Sequence, residues 1–276
     1  LELNSGNPGP AVIYRNRRMT ASVAHAIGGG ESAVFSSRSP CKETPNEDVA
    51  AIVPCDENSC VLIVADGMGG HSAGEVASLT AVREMIRAVN EALQQKQMLR
   101  IGIINGFERA NDAVQAMGTG SGTTLAVVEI SQNEVRPYHA GDSVVLVVGS
   151  RGKIKLETTS HSPVGFGLAA GLLDSSEAMD HAERHVILNA VGSPSMRIEI
   201  GSAIRLAARD TVMLASDGLT DNVTTQEAIR RIRKGKICDC ANELTELATQ
   251  RMWNPGEGRP SKPDDLTVLL FRRQSG

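Results

Sequence analysis

Apolar and polar positions follow two different periods along this chain, and the switches between them lay out its elements in order. Short, nearly unbroken apolar runs occur at VAAIV (49–53) and CVLIVA (60–65) and read as strands. The next stretch, AGEVASLTAVREMIRAVNEALQQ, places apolar residues at 76, 79, 82, 86, 89 and 93, the spacing of one helix face. A second helix is predicted over about 99–116. Strand-type runs resume at TTLAVVEI (123–130), EVRPYHA (134–140) and SVVLVV (143–148). A variable region, 158–197, mixes Gly, Ser and His with short helical signals. IGSAIRLA and TVMLAS (211–216) follow, then two helical stretches within 225–252 and a last strand, LTVLLF (266–271). Strands joined by short loops predict antiparallel sheets, and the long helices must cover them. The expectation is an α+β layered sandwich forming a single domain over 21–276. Residues 1–20, polar and carrying Arg15, Arg17 and Arg18, are expected to be a loose arm.

Composition removes several classes of function. The 276 residues are 41% apolar, enough for a sizeable core, and 28 Lys+Arg against 32 Asp+Glu give a net charge of −4. Slight acidity, with only four Phe, two Tyr and one Trp, supplies neither a basic footprint nor a stacking platform for nucleic acid. No apolar run approaches the ~20 residues of a membrane helix. The chain opens LELNSGNPGP at Leu1, without an initiator methionine or a signal-peptide pattern, as a trimmed chain would. Cysteines at 41, 55, 60, 238 and 240 have no zinc spacing and read as reduced thiols, which predicts a cytoplasmic protein. GTGSG (118–122) lies between a helix and a strand, the reverse of the order a dinucleotide loop needs.

The positions of certain acids carry the chemistry. If VAAIV and CVLIVA form a hairpin, its midpoint is residue 57, and Asp48 faces Asp66 at the open end. The same arithmetic on TTLAVVEI and EVRPYHA gives a midpoint at Gln132 and sets Asp142 opposite Gly122. Asp217 closes TVMLAS, Asp264-Asp265 precede LTVLLF, and Glu47 stands beside Asp48. Any one Asp-Gly or Gly-Asp is first of all a turn signal. Five acidic strand ends that an antiparallel arrangement can bring to one rim are another matter, because clustered carboxylates repel unless a cation sits among them. Hard oxygen donors without Cys or His select Mg²⁺ or Mn²⁺ over zinc, and a carboxylate flanked by others can bridge two ions that activate water for phosphoester hydrolysis.

At this point the residues resemble a family. VADGMGGHSAGEVAS (64–78) is similar to the signature of the metal-dependent type 2C (PPM) Ser/Thr protein phosphatases, in the form typical of bacteria. NED (46–48), SGTTL (121–125), HAGDS (139–143), LASDGLTD (214–221) and PDDLTV (263–268) follow in the family's order, as do parts of 168–192. The resemblance covers about residues 46–271. It implies a four-layer α/β/β/α sandwich, two central antiparallel sheets flanked by helices. It also implies hydrolysis of phosphoserine or phosphothreonine in a phosphoprotein by a water activated by two Mn²⁺ or Mg²⁺ ions. By family pattern Asp66 bridges the ions and the Gly67 carbonyl is a further ligand. Asp217 and Asp264 hold one ion, and Glu47 or Asp48 sits at the other, directly or through water. Asp142, sharing Asp217, belongs to a weaker third position. The family's Asp-Asn pair is Asp264-Asp265 here, so the first acid inherits the ligand role.

The chain also departs from the family. Where members carry an Arg that holds substrate phosphate, four residues before the first-block Glu, this chain has Glu43 preceded by Lys42. Lys42 can supply a point charge without the bidentate fork, which makes it the second catalytic candidate after Asp66; otherwise Arg38 swings in or phosphate binding is weaker. Met68 follows Asp-Gly, as in bacterial members. His71 reads as the first residue of a helix, and His161, His181 and His185 as surface residues. By resemblance, 158–197 holds a mobile flap, with Gly165, Gly167 and Gly171 permitting motion. The missing Arg keeps two alternatives open: a pseudophosphatase acting as a binding module, and a metal-dependent hydrolase of small phosphoesters.

Overall fold

The computed structural model of the chain describes residues 9–40, 42–69, 73–174, 177–178, 181–256 and 259–273. Two antiparallel sheets lie face to face. The first has the order β1-β4-β5-β7-β8-β11, built from β1 (Val12–Arg15), β4 (Asp48–Asp56), β5 (Ser59–Met68), β7 (Leu125–Ser131), β8 (Glu134–Ala140) and β11 (Glu199–Ile200). Two short strands join it, β6 (Gly122–Thr123) on β5 and β12 (Ile204–Arg205) on β8. The second runs β10-β9-β13-β14-β3-β2, with β2 (Val23–Ile27), β3 (Gly30–Ser37), β9 (Val144–Val148), β10 (Ile154–Glu157), β13 (Thr211–Ala215) and β14 (Leu266–Arg273).

Alternation within the strands explains the layers. Val49, Ala51 and Val53 of β4, with Val61 and Ile63 of β5, pack against helices α1 (Ala73–Gln94) and α2 (Leu99–Ala116). Their neighbours Ala50, Ile52, Leu62 and Val64 face inward, onto Val145, Val147, Val212, Leu214 and Leu269 of the second sheet. Two short helices, α3 (Pro163–Ala169) and α4 (Asp217–Thr220), lie in the connections between strands. The outer face of the second sheet, Leu146, Met213, Val268 and Leu270, is covered by α5 (Thr225–Ile232) and α6 (Ile237–Trp253). Central strands are therefore buried on both sides, which is why they read as continuous apolar runs. The architecture is the expected α/β/β/α sandwich.

Four details correct the sequence reading. The segment 12–15 of the expected loose arm is β1, paired with β4 in the register Tyr14↔Ala50, and Tyr14 is buried. The ordered body thus starts before residue 21, while residues 1–8 lie outside the described part. The second hairpin is shifted by one residue: Ser131 pairs Glu134 across a two-residue loop whose Gln132 has φ 55°. Asp142 does not face Gly122, which pairs Met68 of β5 instead. On α1, Val76 is 48% exposed, while the other predicted face positions pack inward, Leu79, Val82 and Val89 buried and Ile86 and Leu93 partly so, beside Ala77, Ala81, Met85, Ala88 and Ala92. Small alanines there let α2 lie close, with Gly106 directly over Met85.

Candidate metal centre

The first hairpin has the register that its midpoint predicts, with Asp48 directly opposite Asp66. Beside them, β5 changes partner: Ser59–Val64 pair with β7, and Gly67–Met68 pair with β6. Thr124 sits in the break. Its backbone N–H donates to Asp66 O at 2.8 Å, and its Oγ1 accepts from the Asp66 N–H at 2.9 Å. Asp142 stands where the chain leaves β8 in the first sheet for β9 in the second. Asp217 opens the one-turn helix α4 behind β13, and Asp264 and Asp265 lead into β14. Both sheets therefore deliver acids to one end of the sandwich.

The packing there leaves no room for side chains at two glycines. A Cβ on Gly67 would lie 2.1 Å from the Gly74 carbonyl oxygen, and one on Gly74 would lie 2.3 Å from Glu47 Oε1. The two glycines press the start of α1 against β5 and Glu47. Ser78 Oγ, one turn into α1, donates to the Glu47 carbonyl at 2.5 Å.

The acids feel one another's charge, although among the described residues no three of their oxygens lie as close together as the donor atoms of His139, His161 and Glu199. The Asp66 carboxyl is pushed well above the usual carboxylate range, first by burial and then by Asp48, Asp217, Asp142 and Asp264 in turn. Asp48 is raised likewise by burial and by Asp265, although Ser216 Oγ donates to its Oδ2 at 2.7 Å. Burial and the charge of Asp217 raise Asp142 to about 7; burial and the charge of Asp264 raise Asp217 to about 6. Three carboxylate oxygens, Glu47 Oε1, Asp48 Oδ1 and Asp142 Oδ1, are buried without a hydrogen-bond partner. Buried acceptors of this kind are normally satisfied, and a hard divalent cation satisfies several at once.

Asp265 has a different job. Its Oδ1 accepts from the Ser39 N–H and its Oδ2 from the Glu47 N–H, both at 2.8 Å. Lys42 reaches the rim, but its ammonium is divided between Glu47 Oε2 (2.5 Å) and Asp265 Oδ2 (2.6 Å). Arg38 Nη1 donates to the carbonyls of Glu43 (3.0 Å) and Thr44 (3.4 Å). His161, expected at the surface, is buried. Its Nδ1 accepts from the Gly141 N–H (3.1 Å) and Asn189 Nδ2 (2.9 Å), which leaves its proton on Nε2, 3.0 Å from Glu199 Oε2. It stacks on His139 at 4.4 Å, and His139 Nε2 donates to Thr159 O. These hydrogen bonds make the His139–His161–Glu199 group a clasp on the Asp142 loop rather than a set of free metal donors. His185 is exposed as expected, His181 is half-buried, and His71 lies outside the described residues.

One participant was not read from the sequence at all. Lys262 Nζ lies 2.9 Å from Asp217 Oδ2, 2.8 Å from Asp221 Oδ2 and 3.1 Å from Asp264 Oδ2. Buried Asn222 holds its backbone on both sides, donating to Lys262 O and accepting from Lys262 N. Its only sequence signal is a Lys two positions before an acid pair, in SKPDD. A Lys262→Met variant is expected to lose about 1–2 kcal/mol of stability when metal-free, a figure reduced for its partial exposure. The same variant should bind Mn²⁺ more tightly, because no ammonium then competes for Asp217 and Asp264; melting curves and calorimetry check the two halves.

Known proteins share this fold and resemble this sequence. The family model for Protein phosphatase 2C matches residues 41–249. The serine/threonine phosphatase stp of Listeria monocytogenes is 31% identical over 237 residues, covering 83% of this chain and 90% of that protein. Among solved structures, the serine/threonine phosphatase of S. agalactiae superposes with a TM-score of 0.74 at 25% identity, covering 89% of this chain and all of that one (100%). The catalytic domain of the phosphatase PstP, solved with two manganese ions, shares the fold with a TM-score of 0.67 at 24% identity, covering 88% and 98%. The fold and its acidic rim thus define a metal-dependent phosphatase class. The chain belongs to the protein phosphatase 2C family, and the relatives it matches are bacterial Ser/Thr phosphatases.

Proposed function

We propose that this chain hydrolyses phosphoserine and phosphothreonine in proteins, using two Mn²⁺ or Mg²⁺ ions held by the acidic rim. The observation that carries the reading is the convergence of Asp48, Asp142, Asp217 and Asp264 on Asp66, with carboxylate oxygens left buried and unpartnered. Asp66 is assigned as the bridging ligand, with the Gly67 carbonyl beside it. Asp217 and Asp264 are assigned to one ion, Glu47 or Asp48, directly or through water, to the other, and Asp142 with Asp217 to a weaker third position. When bound, the ions supply an activated water and offset charge on the phosphoryl oxygens. The chain's own contribution is positional. The Thr124 bonds fix the Asp66 backbone, Ser216 orients Asp48, and Asp265 with Lys42 holds Glu47 in place. No side-chain nucleophile is required. The residues from β1 to β14 are assigned to one catalytic unit, with 158–197 as its flap. Free thiols at Cys55, Cys60, Cys238 and Cys240 suit a cytoplasmic setting.

A binding module remains the second reading, and a specific observation favours it: the family Arg is absent, and Lys42 is already engaged by two carboxylates. Phosphate release from a phosphothreonine peptide separates the two. Turnover in Mn²⁺ that falls to background in excess EDTA is expected; folded protein that binds Mn²⁺ without turnover would establish the binding module instead.

A further inference from the structure

Outside the acidic rim, the described surface has a cavity of about 170 Å³ that shares Asp264 with it. Its walls come from distant parts of the chain: the start of the ordered body, the end of β3, the last turn of α6 and the approach to β14. Met19, Met252 and Leu266 form an apolar floor. Trp253 stands at the edge, 58% exposed, the chain's single tryptophan. Two cations, Arg18 and Arg38, line the same cavity. An exposed tryptophan over an apolar floor with two guanidinium groups at hand has the make-up of a recognition pocket.

The charges decide what fits. Acids crowd the catalytic rim, so an anionic polypeptide approaching it meets repulsion everywhere except where a cation faces it. Among the described residues Arg18 makes a backbone bridge to Ser37, and its exposed side chain offers a planar fork to a carboxylate. Arg38 is steadied by the Glu43 and Thr44 carbonyls. Asp264 closes the side nearest the metal centre, so a polypeptide whose phosphorylated residue lies at the rim passes this cavity within a few residues, at ~3.3 Å per residue.

We propose that this cavity is a substrate subsite that accepts an acidic side chain of the phosphoprotein, a few residues from the phosphorylated one. The carboxylate pairs with Arg18 and Arg38, and the stem of the side chain lies on Trp253 and the methionine floor. The proposal rests on the phosphatase reading for the identity of the polypeptide, and on the cavity alone for the preference. It gives the chain a selectivity that acts through residues outside the metal centre.

The test uses the full chain loaded with Mn²⁺ and three peptides carrying a non-hydrolysable phosphonate in place of phosphothreonine. They differ only in flanking residues, which are Glu, Ala or Lys. Because the chain has one tryptophan, its emission reports occupancy at Trp253 directly. The Glu peptide is expected to shift that emission and to bind about tenfold more tightly than the Ala peptide, as one charge-assisted contact commands. Arg18→Glu is expected to reverse the order in favour of the Lys peptide; its backbone bridge to Ser37 is untouched, so the fold is kept. Equal affinities for the Glu and Ala peptides, or an order that Arg18→Glu leaves unaltered, would overturn the subsite. If the Glu preference holds while no phosphopeptide is hydrolysed, the subsite stands and the phosphatase reading falls.

Discussion

Replacing Asp66 with Asn is expected to abolish metal-dependent phosphate release and, at the same time, to raise the melting temperature of the metal-free chain. Asn is nearly isosteric, so the bonds of the Asp66 backbone to Thr124 remain. What disappears is the ionisable group whose charged form burial and the charges of Asp48, Asp142, Asp217 and Asp264 all disfavour. Relieving such repulsion is worth about 1–2 kcal/mol, or ~5 °C for a chain of this size. The loss of activity follows from the other side of the same fact: the charge that destabilises the metal-free fold is the one that binds cations. Melting curves in EDTA and phosphate-release assays in Mn²⁺ make the two measurements. An active Asp66→Asn enzyme would remove Asp66 from the metal centre. An inactive variant that melts lower than the parent would mean that Asp66 contributes a structural bond the repulsion argument omits.

How far the chain can be read from its sequence depends on the range of the interaction. The Asp48–Asp66 pairing was legible because the hairpin is local and its polar turn lies midway between apolar runs; its irregularity, at Pro54–Asp56, does not move the open end. The second hairpin missed by one residue because a two-residue loop with Gln132 in the left-handed region has no composition that marks it. Strands β2 and β3 left no clear apolar signature. In β3, buried Ser32 and Ser36 interrupt the run, and Ser36 Oγ accepts from both Asn46 Nδ2 and Thr267 Oγ1. His161 looked like a surface residue because its partners Gly141, Asn189 and Glu199 come from three separate segments. Lys262 was invisible for the same reason, since Asp217 is 45 residues away. The acids could be counted along the chain, and Lys42 with them, whereas Lys262, the cation that answers Asp217 and Asp264, could be found only in three dimensions.

The metal-free chain is also expected to become more stable as pH falls from 7.5 towards 5, and the Mn²⁺-loaded chain less stable. Asp142 and Asp217 titrate at about 7 and about 6 in the folded chain, and Asp48 and Asp66 are raised as well, all above the 3.8 of an unconstrained carboxyl. Between those limits the folded chain holds more protons than the unfolded one, so stability falls as pH rises. A tenfold gain in one carboxyl's proton affinity on folding corresponds to about 1.4 kcal/mol, and the carboxylates together to a few kcal/mol, on the order of 10 °C in melting temperature. His139 and His25 act in the opposite direction, since burial lowers both and favours the neutral rings at higher pH. Two histidines with smaller shifts are outweighed by four acids. A bound cation reverses the slope, because it keeps the carboxylates ionised and protons then compete with it. Melting temperatures at pH 5, 6 and 7.5, in EDTA and in Mn²⁺, should therefore give two lines of opposite slope. Parallel lines would mean that the ions are held elsewhere than among these acids.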